Sequence, residues 1–191
     1  MSEKIKVIAL FGESGAGKDT LMRWMLDNIE NTSGMISHTT RPPREHEEQD
    51  KDYHFVTEEE FKKLMINKRM IETACFNNWF YGTSIDELKN DKINIGVFNP
   101  EGVRSLLGLP YSSIEILPIW IKTDDKIRLL RILNRENNPN CEEVCRRFLA
   151  DKKDFSSINF NHEIYINNDE ITNYKHAHHY LKEILKNKNF I

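Results

Sequence analysis

The sequence predicts an α/β fold, with a central parallel sheet between helical layers, a small mixed insertion and a helical flap. Three observations predict it. Short apolar runs alternate with amphipathic stretches along most of the 191 residues, the pattern of strands joined by helical crossovers. A glycine-rich turn, Gly12-Glu-Ser-Gly-Ala-Gly-Lys18, links the first apolar run to the first amphipathic stretch. Two polar segments interrupt the regular pattern: 38–52, with two consecutive prolines, and 134–140, rich in Asn with one Pro; neither suits regular helix.

Taken in order, residues 4–11 form a short apolar run that reads as a buried strand, and 20–29 are amphipathic with helical period. Residues 35–37 read as a short strand and 53–56 as another. Thr57 and Glu60 form a capping box that opens a helix over 58–67. Residues 70–76 and 79–81 suit a hairpin across Asn77-Asn78, and Ser84 suits the cap of a short helix reaching about 90. The mixed insertion therefore spans 34–90. The sheet pattern resumes at 93–98, followed by a helix over 100–107 and an apolar strand over 113–121. Asp124 is placed to cap a helix to about 134, and 142–155 is the next helix, the two hinged at the Asn-rich stretch. Residues 163–166 close the strands and 171–187 form a last helix.

Composition excludes several function classes. With 27 basic against 30 acidic side chains, the formal charge is −3, which argues against a nucleic-acid surface. An anionic substrate would need a locally basic site. No apolar run approaches the roughly 18 residues that cross a bilayer, and the first residues lack a signal-peptide pattern, so the expected compartment is the cytoplasm. Cys75, Cys141 and Cys145 form neither an even set nor a CxxC pair, and read as ordinary thiols, the latter two as packing residues. His176, His178 and His179 read as solvated. Trp24, Trp79 and Trp120 read as core.

Gly12 to Lys18 fits GxxxxGK directly after a strand and before a helix. Glycines in such a loop let consecutive backbone N–H groups, here those from Ser14 through Gly15, Ala16 and Gly17 onward, converge on a polyphosphate. The helix N-terminus and the lysine add positive potential. Asp19 stands where Ser or Thr normally supplies a hydroxyl to magnesium, and Thr20 follows one place late; Asp19 suits either a metal-bound water or the helix N-terminus. Arg41 and Arg44 flank Pro42-Pro43 and can present forked donors to one phosphate from a stiffened segment.

GESGAGKDT, SHTTRPPR, DYHFVTEEEF, IETACF and FYGTS, in that order and spacing, make the chain resemble the guanylate kinase family, with looser agreement through INIGVFNPEGVRSL, the flap and EIYINND. The resemblance implies one P-loop domain of 1–191, with a core at 1–33, 91–124 and 156–191. It implies a nucleoside-monophosphate region at 34–90 and a lid at 125–155. By position, Arg41, Arg44, Tyr53 and Tyr81 would hold the acceptor phosphate, while Ser37, Glu72 and Thr83 would read the base. An ionised Glu72 can accept from both N1–H and the 2-amino group of guanine, and a hydroxyl can donate to O6. Arg131, Arg135 and Arg146 or Arg147 match lid arginines that offset charge on the transferring phosphoryl; Arg128 reads as a solvated helix position. Asn167 matches an asparagine near the ATP base. ATP as co-substrate and Mg²⁺ follow, with small nucleotides as partners, no nucleic acid or membrane, and a monomer or homodimer.

The chain departs from the family at one strand end, where two acids are usual and Val97 and Asn99 stand instead. Asn99 can still hydrogen-bond a nucleoside but cannot act as an anionic metal ligand; Asp19 and Glu101 are the candidate substitutes. The GKD loop with an Asn after the strand also resembles the ribosyl bisphosphate phosphokinases, which lack the full TTRPPR with DYHF kept here, and phage-type deoxynucleoside monophosphate kinases also use a GKD loop. Acceptor identity therefore stays open between GMP or dGMP and another acceptor, beside a non-catalytic binding module.

Overall fold

A computed structural model describes residues 4–43, 47–76, 78–110, 113–135, 139–156, 163–165 and 171–191. The strands are β1 (Ile5–Phe11), β2 (Thr32–Gly34), β3 (His38–Thr39), β4 (His54–Phe55), β5 (Met70–Phe76), β6 (Trp79–Ser84), β7 (Ile93–Phe98), β8 (Ile114–Lys122) and β9 (Glu163–Tyr165). The helices are α1 (Lys18–Asn28), α2 (Glu58–Ile66), α3 (Pro100–Leu107), α4 (Asp125–Leu133), α5 (Cys141–Phe155) and α6 (Ile171–Asn187). Among these residues one sheet runs β2-β7-β1-β8-β9 and a smaller one β4-β3-β6-β5. The β2–β7 and β8–β9 pairs are parallel, as the alternating pattern predicts.

The chain divides into two units, 1–9 with 25–117 and 10–24 with 118–191, so that β1 and β8 each contribute to both. In the first unit the small sheet is mixed: β3 pairs parallel with β4, and antiparallel with β6, which pairs antiparallel with β5. The β5–β6 hairpin turns as expected, with Phe76 opposite Trp79 and Asn78 at φ 62°, a conformation asparagine tolerates better than most residues. Helix α2 begins with both hydrogen bonds of the Thr57–Glu60 capping box in place, and it buries Phe61 in ring contact with Phe80 at 5.5 Å.

In the second unit the first part of α1 buries Leu21, and α6 buries Ala177, Leu181, Ile184 and Leu185, the spacing of one helical face. Phe11 stacks with Trp120 and Phe155 at 6.0 and 6.3 Å. The end of β1 is thereby held under apolar cover, and the glycine-rich loop leaves it at a fixed place.

Several expectations need correction. Residues 35–37 are not a strand: pairing begins earlier, at Thr32 opposite Ile93, and resumes at His38 opposite Gly82. Ser84 does cap, accepting from Asp86 N, but it opens only a short 3-10 turn over Ile85–Glu87. Asp124 occupies the cap position of α4 without a side-chain cap bond. Cys141 and Cys145 are exposed rather than packed, and Trp79 is 39% exposed. Trp24 is half-buried, with its ring stacked on His178 at 3.6 Å. His178 is thus not a solvated residue; burial first, then Lys182, pulls its pKa down. Ile166, the last residue of the expected final strand, lies outside the described residues.

Candidate active site

The phosphate loop and its partners lie within the second unit. Gly15 takes φ 77°, and a Cβ there would lie 2.6 Å from the Arg128 carbonyl oxygen, so only glycine lets the loop lie against α4. Lys18 opens α1 and turns its ammonium back onto the loop, donating to Gly12 O at 2.8 Å and Glu13 O at 3.1 Å. Burial pulls its pKa down, opposed by Asp19 and Asp151. Asp19 and Thr20 stand exposed in the first turn of α1. The backbone N–H of Ser14 donates to Asp151 Oδ2 at 2.7 Å, so a carboxylate of α5 occupies a position suited to a phosphate oxygen.

Arginines of α4 and α5 reach the same loop. Arg131 Nη1 donates to Gly15 O at 3.2 Å, and Arg147 Nη2 approaches Ser14 Oγ at 3.5 Å. Of the two adjacent candidates on α5, Arg147 faces the loop, whereas Arg146 is exposed and forked onto Glu143 at 2.7 and 2.8 Å. Arg135 is exposed beyond the end of α4. Arg128, expected to be solvated, is instead 0% exposed: it donates to Ser14 O at 3.0 Å and Asp125 Oδ1 at 2.8 Å. Helical spacing alone places Arg128 at an arbitrary point of α4. What buries it is the close approach of the loop at Gly15, more than a hundred residues away in sequence.

A separate cluster lies within the first unit, on the small sheet and α3. Glu72, on β5, is 9% exposed; Thr83 Oγ1 donates to its Oε1 at 2.9 Å, and Ser37 Oγ lies 3.1 Å from Thr83 Oγ1. With one proton per hydroxyl, the chain runs from Ser37 to Thr83 to the carboxylate. Burial pushes the Glu72 carboxyl up to about 7, with the bonds from Thr83 opposing. Its other oxygen faces the start of α3, 3.0 Å from where a Gly102 Cβ would stand, so a larger residue at 102 would crowd it. Asn99 is spent locally, its Oδ1 accepting from Gly102 N at 2.7 Å to cap α3.

Beside this chain of hydroxyls stands an aromatic and basic cluster. The Arg41 guanidinium lies 5.5 Å from the Tyr53 ring centre and 5.8 Å from that of Phe55, and pairs with Glu47 at 2.9 Å. The Tyr53 and Tyr81 rings meet edge to face at 6.2 Å. Sequence reasoning passed over one further network here: His54 bridges Asp50 at 2.6 Å and Glu87 at 3.0 Å, and Glu87 also accepts from Ile36 N at 2.9 Å. Burial pulls the His54 pKa down, but the two carboxylates outweigh it and raise it. This network ties the backbone just before Ser37. Arg44 and Asn167 lie outside the described residues.

Among the described residues no three His, Cys, Asp or Glu gather as a metal site; Asp19 and Glu101 are exposed in the first turns of α1 and α3. No helix among them is long and apolar enough to cross a membrane.

Comparison with known proteins points one way. The family model described as guanylate kinase matches residues 4–188. The chain is 37% identical over 165 residues to a guanylate kinase of Wigglesworthia glossinidia brevipalpis, covering 84% of this chain and 79% of that protein. It is 33% identical over 196 residues to one of Malacoplasma penetrans, covering 98% and 95%. The crystal structure of guanylate kinase from Anaplasma phagocytophilum is similar at TM-score 0.63 and 25% identity, over 96% of this chain and 88% of that one.

Proposed function

This chain belongs to the guanylate kinase family, and from that premise we propose that it transfers the terminal phosphoryl group of ATP to GMP or dGMP, giving the diphosphate and ADP. The observation that carries the acceptor assignment is Glu72: a carboxylate held at 9% exposure by Thr83 on the small sheet. A buried acceptor pair of this kind matches the adjacent donors N1–H and 2-NH₂ of guanine, and adenine offers no such pair. A sugar bisphosphate would leave it unsatisfied at a cost.

In this reading 34–90 is the acceptor region, 125–155 the lid, and the remainder the core of one domain. Arg41, Arg44, Tyr53 and Tyr81 hold the acceptor phosphate, with Arg41 exchanging Glu47 for it. Ser37 or Thr83 turns its proton to O6 once the base is in place. The loop from Gly12 through Ser14, Gly15, Ala16 and Gly17 to Thr20 receives the donor's phosphates, and Asn167 its base. Lys18, released from Gly12 O and Glu13 O, follows the terminal phosphates. Arg131 and Arg147 neutralise charge that develops on the transferred group, and Arg135 and Arg146 join them on lid closure. Asp19, exposed in the first turn of α1 beside the loop, would hold Mg²⁺ or its waters, and the ion would supply charge screening at the phosphates; Asn99, spent as a cap, serves α3 instead. The free thiol cysteines support a cytoplasmic enzyme, and the oligomeric alternatives stay monomer or homodimer.

A coupled ADP-release assay over the common nucleoside monophosphates tests the proposal. Turnover is expected with GMP and dGMP and not with AMP, CMP or UMP. Silence with both guanine nucleotides, or equal rates with AMP, overturns the acceptor assignment.

A further inference from the structure

We propose that Asp151 is an internal competitor of the donor nucleotide: its carboxylate fills a phosphate-oxygen position on the loop and thereby sets ATP affinity. The inference rests on the reading of the Gly12–Lys18 loop as the ATP site. Four observations carry it. Ser14 N–H, within the glycine-rich loop, donates to Asp151 Oδ2 at 2.7 Å. The carboxylate is 19% exposed, and Arg128 Nη1 lies 3.6 Å from the same oxygen. Arg128 is itself fully buried and tied to Ser14 O and Asp125, so the carboxylate sits in a fixed basic setting rather than on a mobile surface. Finally, Lys18 spends its ammonium on loop carbonyls. Ser14 N–H and the carbonyls of Gly12 and Glu13 thus already have internal partners, with a side chain standing where a ligand anion would.

A triphosphate cannot take the Ser14 N–H while Asp151 holds it, and a carboxylate left beside phosphate oxygens would repel them. ATP binding therefore includes the displacement of Asp151. Arg147 lies one helical turn earlier on α5 and already approaches Ser14 Oγ, so the same helix carries both the group that leaves and a group that stays with the phosphates. The cost of breaking one charge-assisted hydrogen bond is subtracted from ATP affinity, and removing the carboxylate returns it.

The test is Mg-ATP and inorganic pyrophosphate binding by calorimetry to the full chain and to Asp151→Asn, Asp151→Ala and Asp154→Asn. Asp154 is an exposed acid of the same helix, and its variant controls for charge alone. Asp151→Ala should bind ATP about tenfold more tightly than wild type, with Asp151→Asn between them, because Asn can still accept from Ser14 but without charge. Pyrophosphate should follow ATP, whereas GMP affinity and Asp154→Asn should not change. Unchanged or weakened ATP binding in both Asp151 variants, with ATP still bound by wild type, overturns the competitor role and leaves the ATP site intact. Binding by neither wild type nor variants overturns both. An equal gain in Asp154→Asn would reduce the effect to net charge and also overturns it.

Discussion

The Glu72 carboxyl, pushed up to about 7 by burial, is a mixture of acid and carboxylate near neutral pH, and this has opposite consequences for binding and for stability. On the proposed reading guanine's donors pair with the carboxylate alone, so acceptor binding below this pKa must expel a proton. The GMP KM of the wild type should rise about tenfold per pH unit below roughly 7, whereas that of Glu72→Gln should be higher throughout and flat; a wild-type profile as flat as the variant's would remove Glu72 from base recognition. For stability the sign reverses. The fold favours the protonated form, so the group costs nothing below the ordinary carboxylate range, and its cost grows as pH rises toward 7 and is full above it. Denaturant titration should find Glu72→Gln more stable than wild type by up to ~3 kcal/mol at about pH 8, and equal to it at about pH 4. Arg128 is the other residue whose surroundings decide its role. Arg128→Ala removes a fully buried side chain and its bond to Ser14 O, while Asp125 keeps Lys152, and should destabilise by about 2 kcal/mol; a surface arginine would cost almost nothing.

At the scale of elements, each half of the site depends on how one local structure is terminated. The Thr57–Glu60 box starts α2, which carries Phe61 into the small sheet. Thr57→Ala should lower stability by about 1 kcal/mol in a urea titration without altering ATP affinity. In the phosphate loop the constraint is steric. Gly15→Ala places a methyl 2.6 Å from the Arg128 carbonyl at a φ that L-residues avoid, so the loop must open, and ATP binding should be lost while GMP binding remains. These elements were legible because their signals are local: a cap and its partner three residues on, a glycine at a turn, a period of two or 3.6. The helices α3 and α6 and the strand β7 fall where the periodicity places them. The failed strand at 35–37 has the converse explanation. Three residues carry too little periodicity to set a register, and pairing partners fixed it instead: Thr32–Gly34 against Ile93–Ile95, and His38–Thr39 against both β4 and β6.

At the scale of the whole molecule, the two candidate clusters belong to different compact units, and on the proposed reading each ligand should stabilise the chain through its own cluster. A ligand at a hundred times its Kd adds roughly 2.7 kcal/mol. Thermal unfolding should therefore show one upward shift with ATP, lost in Gly15→Ala, and another with GMP, lost in Glu72→Gln. Either variant losing both shifts would contradict the assignment of one ligand to each half. The −3 charge fits the proposed arrangement, in which basic side chains serve two anion sites while the overall balance stays near neutral. The sequence by itself determined the alternating elements, the phosphate loop and the family, because these rest on local spacing and on motif order. Only the tertiary structure decided that Arg128 is buried, that Arg147 rather than Arg146 faces the loop, that Glu72 loses its water, and that Asp151 reaches Ser14 across 137 positions. Burial and partner choice arise when distant segments meet, and no local pattern of residues records which ones will.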